Sequence, residues 1–114
     1  MKKKVLSLIL ALSLGFILPA AAAGFADVAD NDWFADAVNW AVERKITSGT
    51  SATAFSPNSI CTRGEIITLL WRFAGSPAPA VSGGVSDINA DDYFYQAVLW
   101  AKGQNMFDGN AFRP

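Results

Sequence analysis

Few residues in this chain have side chains able to do chemistry, and their pattern first excludes. There is no histidine and a single cysteine, Cys61, among 114 residues. Without an imidazole, neither a Ser-His-Asp nor a Cys-His site can be assembled, and the usual zinc ligand sets are missing too. Nothing activates the Cys61 thiol, which reads as a small apolar group packed beside a helix N-terminus, and a lone cysteine closes no internal disulfide. Asp27, Asp30, Asp32 and Asp36, and again Asp87, Asp91 and Asp92, invite a calcium reading. Their spacing lacks the glycine and the terminal bidentate glutamate of an EF-hand loop, so they read as caps, turns and solubilising charge. Scattered carboxylates are the only acid and base candidates, with no pocket-forming length to shift their pKa values. Enzyme therefore ranks last, and no catalytic residue, metal or cofactor is assigned. Binding chemistry remains. Trp33, Trp40, Trp71 and Trp100 offer faces for sugar stacking, although their helical spacing beside apolar stripes favours a core role, with Trp33 the most exposed. Arg63 by itself reads as a solvated first-turn residue or as the partner of a nearby carboxylate.

Charge narrows the partners. Lys2, Lys3 and Lys4 precede an apolar run from Val5 to Leu18 and an A-x-A site at Ala20 to Ala23, the three regions of a secretory signal peptide over residues 1–23. Of nine basic residues those three leave with the leader, so Gly24 to Pro114 carries six against ten acidic ones, a net charge near −4. An acidic surface cannot supply the basic stripe that phosphate neutralisation needs, which excludes a nucleic-acid partner. No second apolar run approaches the ~20 residues that span a bilayer, so no membrane association is expected after cleavage. The expected product is exported and soluble, one small domain of modest stability.

The elements that position these residues are predicted to be helices. Phe34, Ala37, Val38, Ala41 and Val42 fall on one helical face, with Asp32 as the N-cap and Trp33, Ala37 and Trp40 as a second, aromatic edge. Thr62-Arg63-Gly64-Glu65 is a capping box opening a second helix, whose apolar face is Ile66, Leu69, Leu70, Phe73 and Ala74, widened by Ile67 and Trp71, and which ends at Gly75. Residues 76–84 are a Pro/Gly/Ser linker. Between the helices lie turns and an isolated Phe55, expected to plug into the helix pair, while Gly49 and Gly109 serve left-handed turns.

An internal repeat organises this pattern. Asp27-Val28 and Asp32 to Ala41 recur as Asp87-Ile88 and Asp92 to Ala101 at a constant offset of 60, as do Gly49 and Gly109. Phe55-Ser56-Pro57 answers Phe112-Arg113-Pro114 at an offset of 57. The expected organisation is a full copy over 24–75 and a truncated second copy over 85–114, read as a partial frame. Its lone helix, from Tyr93 to about Lys102, is expected to lack a partner helix.

The ordered set Phe25, Asp27, Val28, Trp33, Ala37, Val38, Ile46, Gly49, Phe55, Pro57, Asn58, Thr62, Arg63 and Glu65 resembles the S-layer homology (SLH) repeat of bacterial cell-surface proteins. The resemblance implies a mainly α fold of helix-loop-helix repeats and a non-catalytic module of the cell wall or S-layer. Its partner would be a secondary cell-wall polymer or peptidoglycan-linked glycan, often bearing ketal-linked pyruvate, bound non-covalently in grooves between three repeats. The family's principal contact maps onto Arg63, with Thr62, Glu65, Gly49 and Trp33 as further ligand-binding candidates. A guanidinium can grip a pyruvyl carboxylate bidentately, and the helix N-terminus adds its positive dipole end. Gly64 replaces the family's Ala and lowers helix propensity, Cys61 replaces a hydrophobic residue, and the second copy ends before its own Thr-Arg-x-Glu helix. The competing reading is a structural fragment that self-associates, or joins further repeats, to cover an unpaired face including Val98, Leu99 and Trp100.

Overall fold

The computed structural model describes residues 24–114. The expected signal segment lies outside the described residues. Among those described there are three helices and no strand: α1 (Ala35–Glu43), α2 (Arg63–Phe73) and α3 (Tyr95–Gly103). They fall into two compact units, one ending at Asn58 and the other running from Ser59 to Pro114.

In the first unit, α1 starts later than its sequence suggests. Phe34 occupies the N-cap position without a side-chain cap. Asp32 lies two residues upstream, where its carboxylate accepts from the Ala29 N–H at 2.8 Å and closes the preceding turn. The buried stripe is turned as well: Ala35 and Val38 are buried while Ala37 is exposed. Trp33 is 93% exposed and meets Phe34 edge to face, with ring centroids 5.4 Å apart. Phe55 packs on the Phe25 ring at 5.7 Å. The Asp27 carboxylate spans the unit by accepting from the Phe55 and Ser56 N–H groups at 2.9 and 2.8 Å.

All three helices end alike. A residue with positive φ follows each, Lys45 (58°), Gly75 (91°) and Asn105 (56°). The next N–H reaches back five residues: Ile46 to the Ala41 carbonyl, Ser76 to Trp71 and Met106 to Ala101, at 2.9–3.0 Å. This is the Schellman closure, which satisfies carbonyls the last turn leaves free.

The second unit corrects the expectation of a lone final helix. Here α2 and α3 pack together, although they belong to different copies of the sequence repeat. Ile67, Ala97, Val98, Ala101 and Phe112 form the core, ringed by Trp71, Val85, Ile88, Phe94, Trp100 and Phe107. The face proposed for self-association is thus covered by the chain itself, with Val98 at 0% exposure and Leu99 at 3%. On α2 the buried residues are Gly64, Ile67 and Thr68. Ile66 and Leu70 each remain 47% exposed, so the packed face is rotated away from the predicted one. Thr68 tolerates burial because its hydroxyl donates to the Gly64 carbonyl at 2.7 Å. The segment after α2 folds back on it: the Trp71 indole N–H donates to the Pro77 carbonyl at 2.8 Å.

Candidate functional site

The first turn of α2 is built as its sequence predicts. The Glu65 N–H donates to the Thr62 hydroxyl at 3.1 Å, and the Thr62 N–H donates to the Glu65 carboxylate at 2.8 Å. Two backbone donors at the helix start are satisfied reciprocally, which engages the Thr62 hydroxyl oxygen and one Glu65 carboxylate oxygen in holding the turn that carries Arg63.

Arg63 is exposed, yet its base is held. Its Nε–H donates to the Phe112 carbonyl at 3.0 Å, and its Cζ sits 4.8 Å from the centroid of the Phe112 ring. Among the described residues the guanidinium has no carboxylate partner and its Nη groups make no hydrogen bond. A cation in the first turn opposes the helix dipole, so this placement does nothing for α2 and concentrates positive potential at one point on an acidic chain.

Phe112 is in turn fixed from several sides. Its ring is 4% exposed and meets Phe107 at 5.1 Å. Asp87 accepts from the Phe112 N–H at 2.8 Å and from the Arg113 N–H at 2.7 Å. These two bonds, the Phe112 one foremost, hold the Asp87 carboxyl below the ordinary carboxylate value. The Lys102 ammonium lies 5.4 Å above the Phe107 ring and donates to the Gly109 carbonyl. Asp87 and Phe112 escaped the sequence reading as site residues. Their signal was their place in the repeat, equivalent to Asp27 and Phe55, but periodicity does not reveal that the Asp and Phe of one copy clamp together.

Of the five sequence candidates, Thr62, Arg63 and Glu65 share the first turn of α2, whereas Gly49 and Trp33 belong to the first unit. Gly49 has φ 81°, and a Cβ there would lie 2.5 Å from the Phe25 ring and 2.6 Å from the Ala54 carbonyl, so packing alone demands glycine. Cys61 is exposed rather than packed as an apolar group. Local desolvation first, then a hydrogen bond to Glu65 and its negative charge, raise its thiol above the ordinary value, which disfavours the nucleophilic thiolate. Among the described residues, no cluster of His, Cys, Asp or Glu is placed to hold a metal ion, and no helix is long and apolar enough to cross a membrane.

The S-layer homology domain matches residues 24–67, and over that segment the chain is similar to the S-layer homology family. Endo-1,4-beta-xylanase A of Thermoanaerobacterium saccharolyticum is 29% identical over 80 residues, covering 70% of this chain and 7% of the xylanase. Amylopullulanase of Thermoanaerobacterium thermosulfurigenes is 28% identical over 86 residues, covering 75% of this chain and 5% of that protein. The chain therefore corresponds to a small fraction of these relatives' length. No solved structure matches it. S-layer homology domains are non-catalytic modules that anchor proteins at the cell surface.

Proposed function

We propose that this chain is a secreted, non-catalytic cell-surface module that binds an anionic secondary cell-wall polysaccharide non-covalently, with Arg63 as its charged contact. The observation that carries the reading is the state of the Arg63 guanidinium: held at Nε by the Phe112 carbonyl, it keeps its Nη edge for a ligand. A carboxylate on a sugar, such as a pyruvyl ketal, matches that edge bidentately. The first turn of α2 adds the positive end of an 11-residue helix. Thr62 and Glu65 act mainly by holding that turn. Trp33, largely exposed, offers a stacking face in the first unit, and Gly49 shapes the neighbouring loop by letting it pack on the Phe25 ring. In this reading the chain is one full and one partial S-layer-homology-type repeat behind a cleaved signal peptide, working at a bacterial wall or S-layer.

Co-sedimentation with purified cell-wall sacculi, before and after their secondary polymer is stripped, tests the proposal. Pelleting that requires both the polymer and Arg63 is expected. Equal pelleting of Arg63→Ala and wild type would remove Arg63 from the role.

A second reading has its own support. Ile60 is 94% exposed, and Ile66 and Leu70 are each 47% exposed near the start and along one side of α2. Such a surface suits association with further repeats or a second copy. Sedimentation velocity tests it: a species that stays monomeric across a hundredfold concentration range would set that reading aside.

A further inference from the structure

We propose that Asp87 is a positioning residue for Arg63, acting through a single peptide plane; the inference rests on the reading of Arg63 as the polymer contact. The Arg113 N–H and the Phe112 carbonyl are the two ends of one peptide unit, which is planar and trans. Asp87 accepts from its N–H end at 2.7 Å. Arg63 Nε donates to its carbonyl end at 3.0 Å. Carboxylate, peptide and guanidinium therefore form one line of hydrogen bonds, negative at one end and positive at the other, with the peptide dipole aligned between them. Each bond in such a chain polarises the next, so the Phe112 carbonyl becomes a stronger acceptor for Arg63 than an isolated one.

The second Asp87 oxygen removes the remaining freedom. It accepts from the Phe112 N–H at 2.8 Å, the donor of the preceding peptide plane. Both planes flanking the Phe112 Cα are thereby pinned to one carboxylate, and the buried Phe112 ring fixes the side chain. Arg113, at φ 59°, is kept in a backbone region that a non-glycine residue leaves unless held. A free arginine side chain loses rotamer freedom on gripping a ligand. Here that loss is met in the unbound protein, because Nε and the guanidinium face are already engaged with Phe112.

Asp27 supplies an internal control. It makes the same pair of bonds, to Phe55 and Ser56 at 2.9 and 2.8 Å, within the first unit, and so shares the structural duty without the connection to Arg63. The experiment compares wild type, Asp87→Asn, Asp27→Asn, Arg63→Ala and the Arg63→Ala/Asp87→Asn double variant in quantitative co-sedimentation with polymer-bearing sacculi from the producing organism. Circular dichroism confirms that each is folded at the assay temperature. Asp87→Asn is expected to weaken binding about threefold to tenfold, the worth of one net hydrogen bond. Asp27→Asn should bind as wild type, and the double variant no worse than Arg63→Ala alone. Equal losses in the two Asp variants, or a further loss on adding Asp87→Asn to Arg63→Ala, would mean a merely structural role and overturn the proposal. Wild-type binding by Arg63→Ala would instead bring down the reading on which it rests.

A ligand-free readout stands beside these. By NMR the Arg63 Nε–H should exchange with solvent at least about tenfold more slowly than that of an unbonded arginine, as one bond worth about this factor requires. Asp87→Asn should speed it. An unprotected Nε–H in the wild-type chain overturns the proposal even if the variant does not fold.

Discussion

Gly64 and Phe94 are in closer contact than any residue with a side chain at position 64 would allow. A Cβ built on Gly64 would lie 2.7 Å from the Phe94 Cδ1 and 3.1 Å from its Cγ. The departure from the alanine usual in this motif therefore has a reason: α2 lets an aromatic ring of the second copy lie against its backbone.

Gly64→Ala sets two effects against each other. Alanine improves helix propensity by up to ~1 kcal/mol, less in a first turn. Overpacking a buried contact costs about 1–3 kcal/mol, and the atoms struck belong to the base of a ring rather than to a flexible tip. The expected outcome is a net loss of about 1 kcal/mol in urea denaturation, recovered when Phe94→Leu is added.

Acid should weaken both units through the same device. Asp27 is held below its ordinary value of 3.8 by the Phe55 N–H first and the Ser56 N–H second, and Asp87 likewise by Phe112 and Arg113. A carboxyl with a lower pKa folded than unfolded contributes stability that is present above the unfolded value and lost as pH falls through the folded one. Urea midpoints should hold at neutral pH and fall below about pH 4. Asp27→Asn and Asp87→Asn should each start lower and lose less on acidification, and a parallel acid limb in the variants would contradict the assignment.

Lys45 is the costliest of the three helix endings. Its φ of 58° lies in the left-handed region, which costs a non-glycine residue roughly 1–2 kcal/mol. Glycine there also gives the unfolded chain more freedom. Lys45→Gly should stabilise by about 0.5–1 kcal/mol net, seen as a higher Tm, while Asn105→Gly should gain less, since asparagine adopts that region more readily.

The cap of α2 can be separated from any ligand contact. Thr62→Ala leaves the Glu65 N–H without its acceptor and should cost about 1 kcal/mol, measured by chemical denaturation. Thr62→Ser keeps the oxygen and should stay within a few tenths of wild type. Weaker wall binding by a fully stable Thr62→Ser would give Thr62 a direct role.

Local chemistry was readable from the sequence, and partnership between distant segments was not. The Thr62–Glu65 capping box and the stop at Gly75 depend on residues a few positions apart, and the structure has both. The active face of α2 was misread because Ile66, Leu69 and Leu70 make a plausible stripe at helical spacing. What buries Ile67 and Thr68 instead is α3 of the next copy, docking where Gly64 leaves room. Asp32 failed as a cap for a related reason: its carboxylate closes the turn onto Ala29, and two further residues intervene before α1. The setting of Arg63 required knowing that Phe112, 49 residues away, would return to it.

That distance also sets an order of events during biosynthesis. At about 5–20 residues per second, several seconds separate the emergence of Arg63 from that of Phe112. Over most of the interval α2 lacks α3, and until its end it lacks the Phe112 ring, so Ile67 and Trp71 stay uncovered and the nascent second unit closes only once Phe112 has been made.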